Sequence, residues 1–162
     1  MNLAEFCIGQ ISLLSWREMK RLSPGCRPAA LGVANVIRNR VDSGWASGDW
    51  LKILNDVPIH AAEEIVCIDW MTLPDVYDKD FLWIHSEVTR LYQDRMSPDT
   101  ITVSADPTWA EHSANKPRAV RKKGLFYCNL QKPIRPWFLE NIIRRRDEHG
   151  ATATAGEITF YA

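Results

Sequence analysis

The sequence predicts an α+β fold in which a helical core comes first and a small antiparallel sheet follows. Two observations predict this class. Apolar residues recur at helical spacing up to about residue 95, whereas the later segments TITVS, GLFYC and GEITFYA are rich in residues that favour strands. The 162 residues are 46% hydrophobic and 25% charged, which is typical of a globular chain of one domain. We therefore expect a single domain over residues 1–162.

The first helix is predicted from about Asn2 to Leu22 and is apolar on nearly all sides. We expect it at the centre of the fold, because a helix without a polar face has to be surrounded by protein. A second helix is predicted from about Arg27 to Ser43, with its side chains divided between two faces. The apolar face carries Ala30, Val33, Ala34, Ile37 and Val41, and the other face carries Asn35, Arg38 and Asp42.

The remaining elements are predicted from shorter patterns. Short helices are expected at Asp49–Leu54 and His60–Cys67, and a longer one at Asp78–Arg95. The segment PWFLENIIRRR opens with Pro136, a residue suited to the first turn of a helix. The final segment GEITFYA alternates as a short terminal strand does.

Charge and cysteine usage limit the classes of partner. The 20 basic and 20 acidic residues balance, which argues against a surface built as a whole for nucleic acid. From Ala114 to Arg146, however, ten Lys or Arg stand against one acid, so this segment either faces a polyanion or forms a solvated basic face. The four cysteines and four histidines are scattered and form no ligand motif, so no metal or cofactor is expected. Cys7 and Cys67 are expected as buried reduced thiols.

The sequence also predicts the compartment in which the protein is made and folds. Its N-terminus has no basic region typical of a signal peptide, and no run reaches the roughly 18 apolar residues of a membrane-spanning helix. We therefore expect synthesis in a cytoplasm and no membrane insertion.

Glu18 interrupts an apolar stripe of the first helix. In one interpretation it is an exposed glutamate that pairs with Arg21 or Arg17 and contributes roughly 0.3 kcal/mol. In the other, neighbouring leucines exclude water and favour the protonated carboxyl, while the arginine side chains extend to solvent. Such a carboxyl is suited to act as a general acid. The stripe consists of Cys7, Ile11, Leu14, Glu18 and Leu22.

The order of several motifs resembles the SleB-type cell-wall hydrolase family, which comprises spore-cortex-lytic enzymes and their phage and prophage relatives. Arg17-Glu18 resembles a GE pair at the end of the family's first helix, and residues 33–41 resemble its V-A-x-V-[IV]-x-N-R-V helix. Residues 124–129 are similar to a GALFYCNP stretch, and residues 156–161 to a closing G-x-H-x-F-Y pattern. The chain departs from the family at Arg17, where relatives have Gly, and at Ile158, where they have His.

This resemblance implies a lysozyme-like fold that cleaves peptidoglycan glycan strands between N-acetylmuramic acid and N-acetylglucosamine. The enzyme would be a lytic transglycosylase or a muramidase, with Glu18 as catalytic general acid and base. A transglycosylase needs one carboxyl, whereas a hydrolase needs a second, for which Asp106 and Asp42 are candidates. The expected substrate-binding residues are Asp106, Trp109, Phe126, Tyr127, Asn129, Trp137 and Tyr161.

The implied partner is the glycan strand of peptidoglycan, and the implied protein is a monomer, such as a phage or prophage endolysin, that reaches the bacterial cell wall after release. Metal plays no part in this mechanism. Trp109, Tyr127 and Trp137 are expected to stack against sugar rings. The basic segment would face the muramyl and peptide carboxylates.

Two other classes of function remain open at this stage. One is a nucleic-acid-binding module with a helix-turn-helix at Met19–Val41 and the basic segment 114–146 on phosphates. The turn around Pro24 is long for that motif, and the following helix is rich in residues of the buried type. The other is a catalytically inactive protein on the same fold, which the altered surroundings of Glu18 permit.

Overall fold

A computed structural model of the chain describes residues 3–49, 52–54, 56, 74–75, 77–93 and 124–162. These residues form a mixed helical structure with a small antiparallel sheet, as the sequence predicts. The helices are α1 (Leu3–Leu22), α2 (Arg27–Asp42), α3 (Lys79–Gln93) and α4 (Pro136–His149), and the strands are β1 (Phe126–Cys128), β2 (Ala151–Ala155) and β3 (Ile158–Tyr161). A 3₁₀ helix, Trp45–Gly48, follows α2.

The α1 helix packs against both α2 and α3, so the expectation of an apolar helix surrounded by protein is confirmed. It ends in a turn at which Gly25 has a φ of 76°, a left-handed value that glycine adopts without strain. The α2 helix then begins with a proline in its first turn. Asn35 and Arg38, predicted on the polar face of α2, are buried, because protein covers this helix on all sides from Ala29 to Arg40.

The α3 helix begins after Asp78, whose carboxylate accepts a hydrogen bond from the backbone N–H of Phe81 at 2.8 Å and so caps the first turn. Its inner face buries Ile84 and Val88, and the ion pair between Arg27 and Asp80, 2.8 Å long, joins it to α2. The sequence predicts this helix over Asp78–Arg95, and it is confirmed up to the last described residue.

The strands form one sheet in the order β1-β3-β2, with both neighbouring pairs antiparallel. In the register, Tyr127 pairs with Phe160 and Thr154 pairs with Thr159. Strands β1 and β3 are predicted by the sequence, whereas β2 is not. The β2 segment ATATA contains three alanines, which favour strands weakly, so its pairing with β3 decides its conformation.

Both faces of the sheet are covered by helices. The β1 side chains alternate between two apolar clusters: Tyr127 joins α1, α2 and α3, whereas Phe126 and Cys128 join α4. In β3, Phe160 and Tyr161 divide in the same way. Because successive side chains of a strand point to opposite faces, the sheet lies between α1 and α2 on one side and α4 on the other.

Several sequence-based expectations lie outside the described residues: the strand TITVS, the helix at His60–Cys67, the thiol of Cys67 and the first part of the basic segment. The predicted helix at Asp49–Leu54 is helical over residues 52–54. Cys7 is half-buried rather than buried, and its thiol is free. None of the helices in the described ranges has the length and apolar character that a membrane span requires.

Candidate active site

Glu18 lies on the buried side of α1, between two leucines of the same stripe. Only 3% of Glu18 is exposed, and Leu14 and Leu22 are buried one helical turn away on either side. The prediction that this stripe removes Glu18 from water is confirmed, and the interpretation of Glu18 as an exposed glutamate is wrong. A buried carboxylate carries a large desolvation cost, so its partners decide what it can do.

Arg21 binds both oxygens of the Glu18 carboxylate. Its Nε donates to Oε1 at 3.1 Å and its Nη2 donates to Oε2 at 2.8 Å. This bidentate arrangement is the strongest geometry for an arginine and a carboxylate. The expectation that Arg21 extends to water is therefore wrong, because a desolvated carboxylate attracts a neighbouring cation more strongly than a solvated one does. The pair expected at the surface is instead partly buried, with Arg21 32% exposed and Glu18 4% exposed in their side chains.

Strand β1 brings Tyr127 to the same carboxylate. The Tyr127 hydroxyl donates to Oε2 of Glu18 at 2.5 Å, and the ring is 2% exposed in the main apolar cluster. Burial first, and the negative charge of Glu18 second, raise the pKa of Tyr127 well above its ordinary value of 10.0. Tyr127 is therefore a protonated donor under physiological conditions. Together Glu18, Arg21 and Tyr127 form what is called here the Glu18 site.

The raised pKa of Tyr127 predicts a loss of stability in alkaline solution. Unfolding exposes the phenol, which then ionises near pH 10, whereas the folded protein holds it neutral. Stability from this group is fully present below about pH 10 and falls above it by up to about 1.4 kcal/mol per pH unit. Urea unfolding at several alkaline pH values should show a shallower decline for Tyr127→Phe than for the wild type. Tyr77→Phe, at a tyrosine that is 84% exposed, is the matched control and should keep the wild-type slope.

Helix α2 positions β1 through two consecutive buried side chains. Asn39 Nδ2 donates to the carbonyl of Gly124 at 2.9 Å, and Arg40 Nε donates to the carbonyl of Leu125 at 2.8 Å. These two carbonyls directly precede the strand that carries Tyr127. The Asn-Arg pair of the family-like motif therefore has a structural role in this protein, because it holds the backbone from which Tyr127 reaches Glu18.

The Arg40 guanidinium also contacts aromatic rings. It lies 4.7 Å from the centre of the Trp45 ring and 5.3 Å from that of the Phe126 ring. A second guanidinium, that of Arg145, lies 3.9 Å from the centre of the Phe126 ring. Burial, the largest influence, lowers the pKa of Arg40 to about 10. Stacked contacts of this kind stabilise a cation that is partly removed from water. Phe126 is thus enclosed by protein groups.

Asn129 connects the end of β1 to the end of α1. Its Nδ2 donates to the carbonyl of Leu22 at 2.8 Å and to Oε2 of Glu157 at 3.4 Å, while its Oδ1 accepts from the backbone of Gln131 at 2.9 Å. The backbone N–H of Glu157 donates in turn to Oγ of Ser23 at 3.0 Å. This network brings an exposed carboxylate, Glu157, to the end of α1. Sequence reasoning missed it, because nothing in GEITFYA indicates which element that strand will meet.

The structure places the predicted substrate-binding residues unevenly. Tyr127 is a core residue, so the expectation that its ring is a platform for a sugar is wrong. Trp137 is 51% exposed, and its indole can contact a ligand from solution. Asp106 and Trp109 lie outside the described residues, as does the side chain of Asp42. The residues that the fold buries, and that do not present a face to a glycan as placed, are Phe126, Tyr127, Asn129 and Tyr161.

Metal-binding side chains are dispersed in the part of the chain that the structure describes. There, His, Cys, Asp and Glu side chains form no group of three that could hold a metal ion. The described residues contribute three polar groups to the Glu18 site: one carboxyl, one guanidinium and one phenol.

Comparison with known proteins identifies no relative of this chain. The chain matches no protein-family model, no curated protein and no solved structure. The candidate active site is accordingly defined by the burial, hydrogen bonds and charges of its own residues.

Proposed function

We propose that the protein cleaves the glycan strands of peptidoglycan between N-acetylmuramic acid and N-acetylglucosamine, with Glu18 as general acid. The observation that carries the proposal is a buried carboxyl on α1, that of Glu18, which accepts a hydrogen bond from a protonated phenol of the sheet, that of Tyr127. Cleavage of a glycosidic bond needs a carboxyl that can pass a proton to the leaving oxygen. The resemblance to SleB-type hydrolases supports the same role for Glu18. We also propose that the helices and the sheet are arranged as in lysozyme.

The reaction that one carboxyl can perform is that of a lytic transglycosylase. Glu18 gives its proton to the glycosidic oxygen as the bond from that oxygen to the muramyl anomeric carbon breaks. The C6 hydroxyl of the same sugar attacks the anomeric carbon and forms an intramolecular ether, and its proton passes to Glu18. The carboxyl is thereby restored, and the product ends in an anhydro sugar. Tyr127 keeps the carboxyl oriented through its bond to Oε2.

A muramidase would need a second carboxylate at about 5 to 9 Å from the first. Asp106 and Asp42 were proposed from the sequence for this role. In the described structure, Glu157 is a further candidate, because Asn129 holds its carboxylate beside the end of α1, the helix that carries Glu18. The products of the reaction distinguish this route from the transglycosylase route.

A catalytically inactive protein on the same fold is the second candidate, and one observation favours it. Arg21 engages both Glu18 oxygens, so the Glu18 site as described is a satisfied, ionised cluster of the kind that also serves stability. In that case the protein would be a structural protein that keeps this fold and does not cleave peptidoglycan.

Nucleic-acid binding receives little support from the described residues. A helix-turn-helix would need an exposed recognition helix, whereas α2 is buried from Ala29 to Arg40. In the described part of the basic segment, Arg145 donates to the carbonyl of Ala162 at 2.8 Å, and Arg146 lies 3.6 Å from Asp147. Arg145 is thus held by the protein itself, whereas Arg146 forms an exposed ion pair with its neighbour.

Mass spectrometry of digested peptidoglycan tests the proposal. Purified protein is incubated with sacculi, and the soluble fragments are analysed without and with chemical reduction. A transglycosylase yields fragments with anhydro-muramyl ends, which reduction does not change, whereas a muramidase yields reducing ends. We expect anhydro ends. A digest in which no glycan fragment exceeds the protein-free control would contradict the proposal and favour the inactive candidate.

A further inference from the structure

The hydrogen-bond donors around Glu18 fit the carboxylate and not the acid. Arg21 donates to Oε1 and to Oε2, and Tyr127 donates to Oε2 as well. A protonated carboxyl has a hydrogen on one of its oxygens, and on the side of the carboxyl that Arg21 occupies that hydrogen would point at a hydrogen of the guanidinium. The described conformation is therefore the ionised, resting form of the site. A general acid has to leave this arrangement before it can donate a proton.

Arg21 is the partner that can move. Its side chain is 32% exposed and has a flexible stem, whereas Tyr127 is 2% exposed and belongs to a strand. Burial lowers the pKa of Arg21, but the charge of Glu18 and their hydrogen bond raise it by more, so the net shift is upward. That shift belongs to the paired position, but a guanidinium is not deprotonated in proteins, so Arg21 also remains a cation after it leaves Glu18 and can then bind another anion.

We infer that Arg21 is a specificity-determining residue: it binds a carboxylate of the glycan ligand bidentately and, by leaving Glu18, allows that carboxyl to take up a proton. The inference rests on the proposed function, from which the ligand class follows, a peptidoglycan fragment with free peptide carboxylates. Arginine matches a carboxylate through two parallel N–H bonds, the geometry it already uses with Glu18. Ligand and enzyme carboxylates thus compete for one guanidinium.

Charges and protons balance in this exchange. The ligand carboxylate replaces the Glu18 carboxylate on Arg21, and Glu18 takes one proton from solvent because an unpaired buried carboxylate is strongly disfavoured. Three other titratable side chains lie on the elements packed around the carboxyl in the described structure. The Tyr127 hydroxyl donates to the carboxylate and can accept a hydrogen bond from the protonated carboxyl, while the charge of Arg40 on α2 acts on Tyr127 and lowers the pKa of that phenol. On α1 itself, Lys20 lies 4.5 Å from the Trp16 ring centre.

Calorimetry measures the proton uptake that this exchange requires. The probe is a peptidoglycan disaccharide-tetrapeptide, which lacks the bond between N-acetylmuramic acid and the next N-acetylglucosamine, so binding is separate from cleavage. Titrations near pH 7 in buffers of different ionisation enthalpy report the protons taken up per ligand. We expect an uptake of about one proton and an affinity that rises by up to about tenfold for each pH unit of acidification. The same fragment with amidated carboxylates should bind roughly tenfold more weakly and without proton uptake.

Variants separate this inference from general effects on folding. Glu18→Gln should still bind the probe but without proton uptake. Arg21→Lys keeps the charge and loses the bidentate geometry, so it should lose most of the preference for the carboxylate-bearing probe. Equal affinity of the wild type for both probes, binding without proton uptake, or no binding of either probe overturns the inference. Binding with proton uptake by a protein that releases no glycan product would instead overturn the proposed reaction and leave the role of Arg21 standing.

Discussion

Glu18→Gln is expected to abolish the release of glycan fragments from peptidoglycan, a loss of at least about 100-fold, because glutamine keeps the volume of the side chain but has no proton to transfer. The measurement is fragment release by mass spectrometry from equal amounts of folded protein. A wild-type rate in this variant would show that Glu18 is not the proton donor and would leave it a structural role.

The same substitution is also expected to cost stability. Glu18 accepts three hydrogen bonds, two from Arg21 and one from Tyr127. Glutamine has one carbonyl oxygen, and its amide would face a donor, a mismatch that costs about 1–3 kcal/mol. Circular dichroism therefore has to establish a temperature at which the variant is folded before rates are compared.

Tyr127→Phe is the matched control for that comparison. It removes one hydrogen bond from the same carboxylate and keeps both the core ring and the acidic group. We expect a moderate fall in stability, about 1–2 kcal/mol, and activity well above that of Glu18→Gln. If both variants lost activity to the same extent, disturbance of the cluster rather than loss of the proton would explain the result.

Gly32→Ala is expected to destabilise the protein despite the better helix propensity of alanine. A Cβ built at Gly32 would lie 2.1 Å from Cζ of Phe160 and 2.8 Å from both neighbouring ring carbons. The ring is fully buried in the main cluster, so either α2 or β3 has to shift. Overpacking of this kind costs about 1–3 kcal/mol or more, against a gain of up to about 1 kcal/mol from propensity. Urea unfolding measures the difference.

Gly9→Ala is the matched control, since Gly9 is also helical and a Cβ there would meet nothing within 4 Å. It should stabilise α1 by up to about 1 kcal/mol. Phe160→Leu introduced into Gly32→Ala should recover part of the lost stability, because a smaller side chain makes room for the new methyl group. If Gly32→Ala and Gly9→Ala were equally stable, this result would contradict the close contact of α2 with the Phe160 ring of β3.

Local patterns were sufficient for most described elements. Helical periodicity predicts α2, a proline suited to the first turn predicts α4, and strand-favouring residues predict β1 and β3. The sequence does not predict the strand β2, and there is a physical reason for this. A strand of alternating Ala and Thr has little preference of its own, and it forms because β3 offers it hydrogen-bond partners from Ala151 to Ala155.

The site divides in the same way. An acid within an apolar stripe predicts that Glu18 is buried, because residues of one stripe share one environment. The spacing of Arg21 predicts that the two can pair, but not that a bidentate pair would form below the surface. The prediction that Tyr127 stacks against sugar rings is wrong, because its sequence context contains no information on which core cluster its side of β1 enters.

The sequence by itself determined the four described α-helices, the central position of α1 and the α+β class, because each depends on residues within a few turns of one element. For Glu18 it left an exposed and a buried interpretation open, and its place in an apolar stripe favoured the buried one. Only the tertiary structure decided the partners of Glu18, the pairing of β2 and the burial of Phe126, Asn129 and Tyr161. The bond from Tyr127 to Glu18 joins residues 109 positions apart, and that from Asn39 to Gly124 joins residues 85 positions apart. Contacts over such separations follow from how helices and sheet pack together, which no local pattern of residues contains.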